Sequence, residues 1–278
     1  MTTRSDFSTV GGSQPVELEL PETSPRACIV VAPALGVRAS YYRALSEGLR
    51  KAGFATAAVD LPGLGQSPVR ARRGVDWGYD DVIAHYAAAC RALRQLRPDT
   101  PLVLLGHSIG GQVGLMLSGT GVDGLEGVVI VASGCPWWKT WDGLEAWRIR
   151  AATWTCGALA RTLGVFPGDK VGFGGRDAKT LITQWAHAAQ TGHYRLDSFD
   201  GDALLARPGP PVLAIRVEGD AWVPERSMQL ALGRMTDRDV RTELWRDAPH
   251  GGNHNRWPSE PGHVVRRVAA FADDLNLR

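Results

Sequence analysis

The residue in this sequence best suited to covalent chemistry is Ser108, in the stretch LLGHSIGG at 104–111. It sits in the pattern Gly106-His107-Ser108-Ile109-Gly110. This is a G-x-S-x-G elbow, in which the glycines permit a sharp turn that holds the serine oxygen out. A serine hydroxyl is a weak nucleophile alone. It needs a general base, usually histidine, and the histidine needs a carboxylate to orient it. Two histidines, His250 and His254, stand close together in PHGGNHNRW at 249–257. Their H-x-x-x-H spacing could also suggest a metal site. That reading would put Gly251 and Gly252 inside a helix, which is unfavourable, so no metal is expected. His263 falls within a helical pattern, and His85, His187 and His193 have no motif context. These four are expected to be structural or solvated.

The elements needed to hold such a serine are legible around it. PLVLLGHS (101–108) is an apolar run leading into the elbow, and GQVGLMLSG (111–119) reads as the helix leaving it. The N-terminus of that helix favours developing negative charge at the serine. Short apolar runs recur at ACIVVAP (27–33), ATAAVDLPG (55–63), GVVIVASG (127–134), PVLAIRVEGD (211–220) and VRTELWRDAP (240–249). Longer helical patterns separate them, at 41–54, 79–97, near 224–234 and at 261–275. This alternation predicts a mostly parallel sheet flanked by helices, whose strands are buried on both faces. PVELEL (15–20) alternates and predicts an early antiparallel strand. From 135 to 207 the alternation stops, and only helices and loops are expected.

Further motifs make the sequence resemble the α/β-hydrolase superfamily, outside the 135–207 stretch. VDLPGLGQSP (59–68) is similar to the family's D-x-x-G-x-G-x-S turn, and GDAWVP (219–224) to its G-x-D-x-x-V-P segment. The resemblance implies a fold with helices on both faces of the sheet and a chain order of serine, acid, histidine. It maps the acid onto Asp220, with Glu218 as the fallback. It favours His254 as the base, because Pro261 and Phe271 follow at the family's intervals; His250 is the alternative. Asn253 and Asn255 depart from the usual G-x-G-H-x context. An oxyanion hole is implied from the backbone N–H of Ile109 and, by alignment of the APALGV loop, that of Leu35.

The same resemblance makes 135–207 a helical cap, inserted into a core formed by 1–134 and 208–278. The cap region is rich in tryptophan. Trp137, Trp138 and Trp141, with Phe166 and Phe173, are expected either to line an apolar pocket or to pack the cap onto the body. GFGG (172–175) lacks the context of a phosphate loop and reads as a cap loop.

The expected activity is hydrolysis of a carboxylic ester with a small to medium, largely apolar substrate. Thioesterase, amidase or peptidase, acyltransferase and non-catalytic ligand-binding readings share the same residues. No turn carries a complete dinucleotide fingerprint, and no cofactor is expected. Lys and Arg number 31 against 29 Asp and Glu, which gives no reason to expect nucleic acid or a membrane as partner. The cluster Arg70, Arg72 and Arg73 is expected to be a solvated loop. No run approaches the ~18 apolar residues of a membrane span, and the N-terminus lacks a signal-peptide pattern. Four scattered cysteines suit a reducing cytoplasm. A small-molecule acyl substrate is the expected partner, and the oligomeric state, monomer or homodimer, stays open.

Overall fold

The computed structural model describes residues 2–277. An N-terminal hairpin, β1 (Thr2–Thr9) and β2 (Gly12–Glu19), precedes β3 (Cys28–Ala32), α1 (Arg43–Lys51), β4 (Ala55–Ala58) and α2 (Tyr79–Leu96). Then come β5 (Leu102–His107), α3 (Ile109–Ser118) and β6 (Leu125–Val131). A long excursion follows, holding α4 (Gly143–Leu163), β7 (Phe166–Pro167), α5 (Gly168–Val171), β8 (Arg176–Asp177), α6 (Lys179–Thr191) and α7 (Gly201–Ala206). The chain returns with β9 (Val212–Val217), α8 (Glu225–Leu232), β10 (Val240–Trp245), the short α9 (Pro249–Gly252) and α10 (Gly262–Asp274).

Eight strands form one sheet in the order β1-β2-β4-β3-β5-β6-β9-β10. The strands from β4 to β10 pair in parallel, and β1 and β2 add an antiparallel edge. The central strands β3 and β5 are buried along their whole length, because helices cover both sheet faces. On one face α1 and α10 contribute Leu45, Leu49, Val264 and Phe271 to a core with Ile29, Val103 and Ile215. On the other, α2 and α3 contribute Tyr86, Leu93, Val113 and Leu117, against Val30, Leu104 and Val128. The α/β-hydrolase architecture is thus built from the runs that the sequence marks as doubly buried.

The strand β1 was not expected from the sequence. Phe7 is its one buried side chain, so its polar pattern carries little strand signal. It is held by its full register with β2 and by Thr9 Oγ1, 2.6 Å from His85 Nδ1. His85 is itself buried, and burial lowers its pKa to about 4. Its Nε2 lies 3.0 Å from the Asp60 carbonyl, so this histidine ties the edge hairpin to the sheet. Between β6 and β9 no residue joins the main sheet, since β7 and β8 pair only with each other. All four cysteines are free. No helix among the described residues is long and apolar enough to cross a membrane.

Candidate active site

Ser108 caps α3 with φ 54° and ψ −119°, a backbone conformation that costs about 1–3 kcal/mol for a residue with a side chain. The surrounding packing enforces it. A Cβ on Gly106 would lie 2.4 Å from the Gly110 carbonyl, and one on Gly110 only 2.1 Å from the Ala32 carbonyl. β5, α3 and the end of β3 therefore approach as only glycines allow. The Ser108 carbonyl accepts from Gly111 N–H, Gln112 N–H and Ser133 Oγ, the last at 2.6 Å. Ser133 had no motif to mark it in the sequence; it follows β6, the strand beside β5.

Asp220 and His254 come together from separate loops. Asp220 Oδ2 lies 2.8 Å from His254 Nδ1, and the aspartate side chain is fully buried. Its Oδ1 accepts the Trp222 N–H at 2.8 Å. The loop carrying the histidine is pressed onto the end of β9: a Cβ on Gly252 would meet the Glu218 carbonyl at 1.8 Å. His250, Gly251 and Gly252 are consecutively left-handed, which sends the two histidines in different directions. His250 Nε2 lies 3.1 Å from Glu260 Oε1 and 3.3 Å from Ser259 Oγ. Glu218, the fallback acid, is exposed. Among the described residues no group of three or more His, Cys, Asp or Glu side chains is arranged to hold a metal ion.

Ser108, His254, Leu35 and Ile109 line one cavity of about 150 Å³. Neither the Leu35 nor the Ile109 N–H is committed to an acceptor among the described residues. The neighbouring Ala34 N–H, by contrast, donates to Tyr42 Oη at 3.0 Å. Asp60, from the 59–68 motif, plays a different part. It is buried, and its carboxylate accepts from Ala39 N–H at 2.7 Å and Gln66 N–H at 3.0 Å, stapling two loops behind the site.

The aromatic wall differs in composition from the expected set. Trp141 lines the cavity, and its Nε1–H donates to the Ala221 carbonyl at 2.9 Å. Trp137 packs onto the main core, with Gly192 against its ring. Trp138 packs against Trp147 with the rings tilted by 39°, and the Arg150 guanidinium lies over both. Phe166 packs with Ala160 and Ile182, whereas Phe173 lines the cavity too, joined by Trp185 and Trp222 from outside the expected set. Phe173 lies between the other two, 5.2 Å from Trp185 and 5.5 Å from Trp222. These rings come from a loop, from α6 and from the segment after Asp220, so no local pattern could group them.

The Phe173 loop carries a testable electrostatic cost. Asp177 accepts the Gly175 N–H at 3.0 Å and is 3% exposed. Burial, opposed by that hydrogen bond, pushes its pKa up to about 6. An ordinary aspartate titrates near 3.9, so between about pH 4 and 6 the folded chain holds the proton that the unfolded chain has lost. Stability attributable to this group then falls as pH rises across that window, and the penalty is complete above about pH 6. Asp177→Asn keeps an acceptor for Gly175. It is expected to stabilise the protein above pH 6 by up to about 3 kcal/mol, and by nothing near pH 4. Urea unfolding at both pH values checks this; equal effects at the two would contradict it.

Comparison with known proteins gives these loops a family. The family model described as "Serine aminopeptidase, S33" matches residues 23–201, well over half of the chain. No protein of curated function matches the sequence. Among solved structures, an esterase domain from Rhodothermus marinus is 17% identical with TM-score 0.61, covering 98% of each chain. A proline iminopeptidase from Mycobacterium smegmatis is 16% identical with TM-score 0.68, covering 99% of each chain. A soluble variant of monoglyceride lipase from Saccharomyces cerevisiae is 11% identical with TM-score 0.71, covering 98% of this chain and 94% of that one. At these identities the likeness establishes the fold. The family match adds membership: the chain belongs to the serine aminopeptidase S33 family and is an α/β-hydrolase.

Proposed function

We propose that this protein is an esterase that cleaves uncharged, largely apolar carboxylic esters through Ser108, His254 and Asp220. Ser108 Oγ attacks the ester carbonyl while His254 Nε2 takes its proton, and Asp220 stabilises the resulting imidazolium through Nδ1–H. The N–H groups of Leu35 and Ile109 receive the oxyanion. His254 returns the proton to the leaving alcohol. Water, activated by the same imidazole, then hydrolyses the acyl-enzyme. Residues 135–207 act as the cap that supplies Trp141, Phe173 and Trp185 to the cavity.

The observation that carries this reading over an aminopeptidase is the cavity lining. Among the described residues it includes no Asp, Glu, Lys or Arg. An aminopeptidase must bind an α-ammonium beside the scissile bond, and burying an ammonium with no carboxylate to pair it is disfavoured. A neutral acyl group has no such requirement. A cavity of about 150 Å³ is large enough for a benzene-sized group, which sets the scale of the acyl part.

The test is a panel of p-nitrophenyl esters, from acetate to octanoate and including benzoate, run beside amino-acid p-nitroanilides with free amino termini. Short-chain esters and benzoate are expected to turn over and the anilides to resist. Preferential cleavage of the anilides would overturn the reading in favour of a peptidase.

A further inference from the structure

We propose that His107 is a positioning residue that ties the loop offering the Leu35 amide to the loop carrying His254. It precedes Ser108 at the end of β5, and its ring is buried beneath the site. Tyr42 Oη accepts the Ala34 N–H at 3.0 Å and lies 2.7 Å from His107 Nδ1. A phenol has one proton to give. With the Ala34 amide as donor to Oη, that proton goes to Nδ1, which must be the acceptor.

The tautomer of His107 follows. Burial, reinforced by the neighbouring His254, holds its pKa well below the usual value, so the ring is neutral. A neutral imidazole accepting at Nδ1 carries its proton on Nε2. Nε2 is buried and has no partner within hydrogen-bonding geometry. The His254 main chain lies close enough to the His107 ring to oppose, in part, the lowering of its pKa by burial. The two imidazole centroids are 5.0 Å apart. Trp257 closes the cluster from below, 5.2 Å from His107 and 6.3 Å from Tyr42. One buried chain of donors thus runs from Ala34 through Tyr42 and His107 towards the base. It sets the separation between the oxyanion side and the base side of Ser108.

The catalytic part of this inference rests on the esterase reading; the structural part does not, and the experiment separates them. The variants are Tyr42→Phe, His107→Phe, the double variant, and His107→Gln, whose terminal amide offers an N–H near the position of Nε2. Each is first checked for cooperative unfolding, and Tyr42→Phe carries the test if His107→Phe fails to fold. Tyr42→Phe and His107→Phe are each expected to lower kcat by about 10–10²-fold with KM nearly unchanged, as a small misplacement of reacting groups does. His107→Gln should be no worse than Tyr42→Phe, because it keeps a donor near Nε2 and loses only the acceptor for Tyr42. The double variant should be no worse than the poorer single, because the residues act as one unit.

Imidazole ¹⁵N NMR provides the readout that needs no substrate. His107 is expected to stay in the Nε2–H form from about pH 5 to 9. The His254 ring ¹⁵N shifts at a fixed pH should move in Tyr42→Phe and His107→Phe relative to the wild type. An Nδ1–H tautomer for His107, His254 ring ¹⁵N shifts common to all variants, or independent multiplying losses would each overturn the proposal. If the wild type cleaves no ester while the NMR results hold, the esterase reading fails and the tie between the loops stands.

Discussion

Ser108→Ala is expected to lower ester turnover by about 10⁶-fold and Asp220→Asn by about 10⁴-fold, with KM changed little in either. The serine loss removes the atom that forms the acyl-enzyme. The aspartate loss is more informative, because the geometry dictates how it arises. Asp220 Oδ1 accepts the Trp222 N–H, and Oδ2 faces His254 Nδ1. Asparagine must keep its oxygen towards Trp222 and turn its amide towards the imidazole. Nδ1 then becomes an acceptor, the neutral ring carries its proton on Nε2, and the base can no longer take the proton of Ser108. Steady-state kinetics at matched concentrations of folded protein, set by absorbance and by cooperative unfolding, measure both losses. Should Asp220→Asn stay within tenfold of wild type while Glu218→Gln loses activity, the acid has been misassigned.

The legibility of this site in the sequence followed the locality of each signal. The elbow is local: a buried strand, two glycines and a helix lie within one stretch, and the structure returns β5, Ser108 and α3 there. Asp220 and His254 needed the family resemblance, since nothing between them in sequence predicts a 2.8 Å contact. What joins them is backbone packing of Gly252 onto the end of β9, which leaves only a glycine in the sequence. The wall of the cavity was least legible. Adjacent tryptophans in the sequence point in different directions once α4 and the turn before it form. Trp138 ends on Trp147, while Trp141 reaches the cavity. The edge strand β1 escaped for the opposite reason. It is set by pairing with β2 rather than by any apolar period of its own.

Gly110→Ala is the second large effect, and two opposed contributions decide its sign. Gly110 lies in α3, where alanine is worth about 1 kcal/mol more than glycine by intrinsic propensity. Against this, the new Cβ would sit 2.1 Å from the Ala32 carbonyl oxygen and 2.7 Å from that of Pro33. Both obstacles are backbone atoms, so no side chain can swing aside, and either β3 or α3 must move. Overpacking commonly costs 1–3 kcal/mol and occasionally more. With rigid obstacles on two sides, a net loss of about 3 kcal/mol or more is expected. The displacement also falls between the Leu35 and Ile109 amides, so the fluorophosphonate labelling rate should drop in whatever fraction remains folded. Gly172→Ala is the matched control. Its Cβ would meet no atom within 4 Å, and only its left-handed φ of 74° opposes the change, a cost of about 1–2 kcal/mol. Urea unfolding of the two variants should therefore separate them clearly. Equal stabilities would mean that β3 and α3 are not locked together as described, and that the positive φ of Ser108 is held by something other than this contact.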